Sequence, residues 1–509
     1  MTTHTNRAGG RRARHLLRTS KTPSYNPAPP GLSGGAYKPL SEGDCEKIID
    51  AALTLLKDVG MGETPERLAK LFLAKGAEKT AKGRIVFSRS LVEDTISSAA
   101  DRFVFHGRDP DRSIEVGGDS VHFGTGGAAV QTLDLNSGDY RPSTLQDLYD
   151  FTRLQDKLNN VSWFTRCCIA TDIPDNFDLD VNTVYALLCG TTKPMATSFT
   201  LAEHVTPIVE MLDFVEGGDG KFSKRPYLKA HISPIISPMR FGEDAVDVTF
   251  ECIRHNIPVS CITAAQAGAT APATLAGFLA QSLAETLASL LMVNVISPGY
   301  PMVFSNWPFV VDLRTGAFSG GGGETALLNA ASAQLSNALG LPSGVASSMS
   351  DAKAIDAQYG SEKGLTALSA ALAGGNLIYE SSGMTAALLG ASFEAFLIDD
   401  EMHSAIYRTL RGIEVNDETI GLEVIKQSIY GDGHFLGHEH TMAAMERDYF
   451  YPLLADRSPP ITWSEDGRSS MWQRANKQAK AILKNYKPAY LEDKADKAIR
   501  KKLNILLTD

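Results

Sequence analysis

Residues 341–362, LPSGVASSMSDAKAIDAQYGSE, carry more polar chemistry than a strand-to-helix junction needs. After Pro342 and a run of small and apolar residues come Ser350, Asp351, Lys353, Asp356 and Gln358. The segment reads as a buried strand ending in polar groups at the start of a helix. Ser350 or Asp351 is expected to cap that helix by accepting from its free first amides. Other short apolar runs end in Trp163 to Arg166, Phe199, His231, Gln266, Asn306, Trp307, Tyr379, Glu380, Asp399 and Asp400. Trp163, Phe199, Trp307, Tyr359 and Tyr379 could line a cage for a quaternary ammonium group, held by attraction between the cation and the ring faces. Singly, each also fits a core position. Glu380 fits a core poorly, because a buried carboxylate without a partner is costly; it could balance a bound cation. The candidate binding residues are Trp163, Phe199, His231, Trp307, Asp351, Gln358, Tyr359 and Glu380. None is assigned an acid–base role.

Other patterns point away from familiar chemistries. No Cys/His cluster has zinc spacing, and neither a GxSxG elbow nor a phosphate loop of the Walker kind is present. SGGGGE at 319–324 opens a helix and could offer amides to an anion, although four glycines also suit a hinge or a close backbone contact. Asp432 to Gly437 fits DxHxxG, by which corrinoid-carrying modules supply a histidine to cobalt. Such a module needs a whole domain after the motif, and only a short Lys-rich helical stretch follows. His438-Glu-His440 would place its two imidazoles on opposed sides of a helix, since successive residues turn by about 100°. Capping or contact roles suit it better than metal binding, and no metal is expected.

The elements that must hold the candidate residues are strands alternating with helices. Residues 41–101 have helical spacing, and 103–142 alternate as short strands with a hairpin turn at NSGDY. SWFTRCCIA, PMATSFT, YLKAHISPI, PVSCITAA, PMVFSNW, SGVASSMS, NLIYESSG and EAFLIDD then read as eight buried strands. Eight βα units predict a (β/α)8 TIM-type barrel, with a doubly wound open sheet as the other arrangement. The expected layout is a disordered basic arm at 1–38, an N-terminal helical and small β module at 39–158, the barrel at 159–402, and a C-terminal helical extension at 403–509. A barrel gathers its site at the C-terminal ends of its strands, where the candidates fall.

The 509 residues, 43% hydrophobic and 21% charged, describe a globular enzyme of ordinary composition. A net charge of −10 argues against nucleic acid as the main partner. No uninterrupted apolar run reaches the roughly 18–20 residues of a membrane span. The six cysteines form no CxxC pair, which suits a reducing, cytoplasmic setting. The basic arm, with Arg7, Arg11, Arg12, Arg14 and Arg18, and the amphipathic terminal helices suggest a homo-oligomer.

Several segments together carry a specific resemblance. They are Arg11-Arg-Ala-Arg14, Gln266 to Pro272 with Thr274 to Gly277, and Leu313-Arg-Thr-Gly316 with Glu324. Ser350 to Lys353 with Asp356 to Gln358, and Gly433 to Thr441, continue it. The chain resembles the trimethylamine methyltransferase (MttB-like) family over nearly its whole length. The resemblance implies a (β/α)8 barrel and transfer of a methyl group from a methylated amine to the Co(I) of a separate corrinoid protein. The corrinoid (cobalamin) would be supplied by that partner, with no cofactor bound to this chain.

Archaeal trimethylamine enzymes of the family carry pyrrolysine, and this sequence has no such residue. It is similar instead to the non-pyrrolysine branch of glycine betaine methyltransferase. A quaternary ammonium leaves as a neutral amine, so the protein need only position and shield it. Trimethylamine would have to expel an amide anion. The substrate expected is glycine betaine or a related betaine. The alternatives are a non-catalytic betaine-binding protein and a zinc-dependent barrel methyltransferase.

Overall fold

The structure, a computed structural model, describes residues 26–508. Eight short strands, β1 (His122–Gly124), β2 (Val161–Thr165), β3 (Met195–Thr197), β4 (Leu228–Ile232), β5 (Val259–Thr263), β6 (Met302–Asn306), β7 (Ser343–Ala346) and β8 (Leu377–Tyr379), close into a barrel. Each pairs in parallel with the next, and β8 returns to β1 through Leu377 opposite His122. Helices Leu145–Asp156, Asn176–Gly190, Val205–Glu216, Glu243–Arg254, Leu275–Ile296, Gly323–Ala338, Ala357–Leu372 and Phe393–Leu410 follow β1 to β8 in turn. The architecture is a (β/α)8 barrel.

Two strand assignments change. EAFLIDD is helical: residues 394–400 lie in Phe393–Leu410, with Phe393, Phe396 and Leu397 buried on one side at helix spacing. The barrel's first strand is instead VHFG, read as part of the N-terminal module, so the barrel begins before residue 159. In residues 30–37, the Gly31 and Gly34 amides donate to the Val121 and Asp119 carbonyls, and those of Gly35 and Tyr37 to Leu372. This stretch is therefore tied to the strand-bearing body rather than part of a free arm; the arm's residues 1–25 lie outside the described residues.

Two small sheets rise beyond the C-terminal strand ends. Gln266–Ala267 pairs with Phe309–Val311, which pairs with Phe318–Ser319. Gln131–Leu133 lies between Tyr140–Pro142 and Gly390–Ser392, and Met384–Thr385 completes the second sheet. The NSGDY turn joins two of these strands. Helix Leu275–Ile296 is the one helix among the described residues long and apolar enough to cross a membrane; most of it is buried inside the protein.

The C-terminal extension divides. Residues 452–508 belong to the barrel unit, and residues 411–451 form a second unit with residues 26–29. In the barrel unit, Tyr486 and Tyr490 donate to Asp156 at 2.6 and 2.7 Å. In the second unit, Arg447 pairs with Glu418 at 3.0 Å. Asp432 to Gly437 forms an exposed turn there between helices Leu422–Tyr430 and Glu439–Arg447. His438 caps the latter, accepting from the His440 amide at 3.1 Å. His440 contacts the Glu418 carbonyl.

Candidate active site

Strand alternation decides which side chains enter the barrel. On β4, Leu228, Ala230 and Ile232 pack outward with the helix-facing core, while Lys229 and His231 point in. On β5 and β6, Ser260, Ile262, Val303 and Ser305 point in, followed by Trp307 just past β6. β2 contributes Trp163 and β8 contributes Leu377 and Tyr379. A polar layer crosses this interior. The Tyr379 hydroxyl receives Lys229 Nζ at 2.8 Å and contacts Ser260 Oγ at 2.9 Å, which meets Ser305 Oγ at 2.8 Å. Rings fill the space around it: Trp163 lies edge-on to Tyr379 at 4.5 Å, and Trp307 lies 4.9 Å from the same ring.

A cavity of about 600 Å³ stands at the C-terminal ends of the strands, a size typical of small-molecule sites. Phe199, His231, Trp307, Phe309, Arg166 and Glu380 line it. The His231 and Trp307 rings meet edge-on at 5.1 Å. Burial, with help from Lys229 and Arg166, holds His231 well below the usual histidine range, so its ring is neutral. Its Nδ1 and the Trp307 Nε1 have no hydrogen-bond partner among the described residues. A larger surface groove lies between helices Glu66–Ala74 and Glu243–Arg254 on the outside of the barrel. No strand end converges on it, and Arg67 lies over Phe250 there.

Glu380 follows β8 directly and has a left-handed backbone, φ 62°. It is wholly buried, and neither carboxyl oxygen has a hydrogen-bond partner among the described residues. Burial raises its pKa to about 8, with Lys363 opposing. Glycines let it fit: a Cβ on Gly126 would come within 2.8 Å of Oε1, and one on Gly127 within 2.7 Å of Oε2. Lys363, also wholly buried, fixes the adjacent backbone. It donates to the Ser381 carbonyl at 3.1 Å and pairs with Asp399 at 3.0 Å, and Asp399 accepts from the Gly383 amide at 2.8 Å.

Of the eight candidate residues, Phe199, His231, Trp307 and Glu380 line the cavity. The other four do not. Trp163 lies within the barrel core, packed against Tyr379. Asp351 accepts from the Ser319 hydroxyl at 2.8 Å and the Gly320 amide at 2.7 Å, tying two loops together. Gln358 is exposed and donates to Glu362. Tyr359 is buried and donates to Asp399 at 2.8 Å. The helix cap is Asp356, which accepts from the Gln358 and Tyr359 amides. Ser350 and the Asp351 amide instead donate to Glu362. Lys229, Lys363, Gly126 and Gly127 escaped the sequence reading. Alternation along YLKAHISPI puts Lys229 and His231 on one face and could have exposed the lysine; the glycines' role depends on a contact about 250 residues away.

The family model for trimethylamine methyltransferase (MTTB) matches residues 7–504. The chain belongs to this family. A glycine betaine methyltransferase of Desulfitobacterium hafniense (strain Y51) is 29% identical, across 90% of this chain and 95% of that protein. The trimethylamine methyltransferase MttB of D. hafniense (strain DSM 10664 / DCB-2) is 31% identical, across 92% and 93%. That of Methanosarcina barkeri is 29% identical, across 92% and 97%. The trimethylamine methyltransferase family thus supplies a methyl-transfer activity for a barrel whose mouth offers rings and an unpartnered carboxylate. Among the described residues, no group of three or more His, Cys, Asp or Glu side chains could hold a metal ion.

Proposed function

We propose that the cavity binds the methylated cationic head of a quaternary amine, glycine betaine or a close relative, and that this chain transfers one of its methyl groups to a corrinoid held by a separate protein. The observation that carries the reading is Glu380: a buried carboxylate whose two oxygens lack donors, beside Trp307 and Phe199. A quaternary ammonium offers positive charge without an N–H, so it suits a site built from ring faces and an unpartnered carboxylate. The names of two relatives span both readings of the amine, glycine betaine and trimethylamine.

The Co(I) of the partner's corrinoid supplies the nucleophile for the methyl carbon. The C–N bond breaks with its electron pair staying on nitrogen, which leaves as a neutral tertiary amine. No proton moves. The chain's own work is therefore binding and orientation: Glu380 balances the charge, and Trp307 and Phe199 desolvate the methyl groups. Neutral His231 completes the wall without adding a competing charge. Lys363 and Asp399 hold the backbone that places Glu380. The free cysteines, five of them buried, support a reducing cytoplasmic setting.

Glycine betaine, choline and trimethylamine, each incubated with the chain and a Co(I) corrinoid protein, test the reading through the cobalt absorption spectrum. Methyl–cobalt formation from a quaternary amine and none from trimethylamine is expected. Trimethylamine turnover equal to that of every quaternary amine overturns it.

A further inference from the structure

Resting on the quaternary-amine reading above, we propose that Arg166 is the anion-binding half of the same cavity, and that the substrate is a zwitterion whose carboxylate it receives. Arg166 lies immediately after β2, is half-buried and lines the cavity. Among the described residues it forms no ion pair and no side-chain hydrogen bond, and its buried Nε lacks an acceptor. The first opposite charge to act on it is Asp180. That carboxylate is already engaged, accepting from the Thr200 amide at 2.6 Å and hydroxyl at 2.8 Å and contacting His204 Nδ1 at 2.8 Å.

Arg166 and Glu380 are not each other's partners either. Among the described residues neither Glu380 oxygen has a hydrogen-bond partner, and the carboxylate that acts on Arg166 is Asp180. The cavity thus holds one half-buried guanidinium and one wholly buried carboxyl group, both without a protein counter-ion in contact among the described residues. Asp244, the other carboxylate on its lining, is exposed. A buried charge left alone is strongly unfavourable. A simple cation would neutralise Glu380, leave Arg166 as it was and be repelled by it. A neutral amine would relieve neither. A zwitterion answers both, and a guanidinium receives a carboxylate through two parallel N–H donors. Choline and tetramethylammonium carry the right head but nothing for Arg166. The geometry therefore selects betaines within the quaternary amines.

Calorimetric binding to the full chain tests this with glycine betaine, its methyl ester, choline and tetramethylammonium. The ester keeps the cation and removes only the negative charge, so the wild-type protein alone is informative. Glycine betaine is expected to bind about 30-fold or more tightly than the other three. In Arg166→Met, betaine binding should fall by a similar factor while choline binding does not weaken; Arg166→Lys should recover part of the loss. Equal wild-type affinity for betaine, ester and choline overturns the proposal and leaves the quaternary-amine reading standing. Failure of all four ligands to bind overturns both.

Discussion

Lys229 donates to the Tyr379 hydroxyl at 2.8 Å inside the barrel, one inward position before His231 on the same strand. Among the described residues the lysine has no carboxylate beside it. Its surroundings are the rings of Tyr379, Phe105 and Trp163, at 5.1 to 5.7 Å. Burial pulls its pKa down to about 7. A lysine depressed in the folded state makes stability rise with pH, from about 7 towards its unfolded value. Lys229→Met removes that burden. The variant should be about 1–4 kcal/mol more stable near pH 7, with the gain shrinking towards pH 10. Denaturant melts across this range measure it; a variant less stable than its parent at pH 7 contradicts the assignment.

Glu380 behaves in the opposite sense. Its folded pKa is raised from 4.5 to about 8, so the folded state keeps a proton the unfolded chain gives up, and stability falls as pH rises through that window. A cation needs the ionised form. Binding of glycine betaine at pH 7 should therefore expel close to one proton, seen as a buffer-dependent calorimetric heat, and affinity should climb with pH until about 8. Glu380→Gln should abolish the proton release and weaken binding about 30-fold or more. It should also melt higher than the parent, most clearly above pH 8. Lys363 and His231 are the neighbouring titratable groups; the first is tied to Asp399 and the second is neutral, so neither supplies the same profile.

Gly127→Ala tests the fit of that carboxylate. The new Cβ would lie 2.7 Å from Glu380 Oε2 and 2.8 Å from Met384 Cε, at a backbone φ of 87°. The expected loss is about 1–3 kcal/mol of stability together with weaker betaine binding. Unchanged melting and affinity would show that the glycine is not required.

The buried pair of Lys363 and Asp399 separates positioning from binding. Lys363→Met strands the Asp399 charge and should lower stability by about 3–5 kcal/mol. Adding Asp399→Leu should recover much of that loss while betaine affinity stays low, because the Ser381 carbonyl loses its donor in both variants. Full return of affinity in the double variant would refute a positioning role.

Seven barrel strands were readable because apolar runs recur between helical stretches and end in polar groups. EAFLIDD misled because a short unbroken apolar run has no period of its own; the buried spacing from Phe393 to Ile406 appears only when the window is lengthened. β1 reads as a strand of the N-terminal module rather than of the barrel because it is only three residues long and its β8 partner lies more than 250 positions ahead. Glu380 and Trp307 were legible as costly or bulky groups at strand ends. Asp351 and Gln358 looked alike on paper, yet their partners, Ser319 and Glu362, engage them. Nothing in a list of strand ends tells an engaged carboxylate from a free one.

The seam between β1 and β8 has a consequence for the chain as it is made. On the edge away from β2, His122 and Phe123 find their strand partners only when Leu377 and Ile378 emerge from the ribosome. Until then β1 presents an open edge on that side, and the growing sheet cannot become a cylinder. Such distant pairing is slow to form and leaves edges that other chains can capture. Truncated nascent chains ending before residue 377 should therefore depend on chaperones and be degraded quickly, whereas chains extending past the helix Phe393–Leu410 should resist protease.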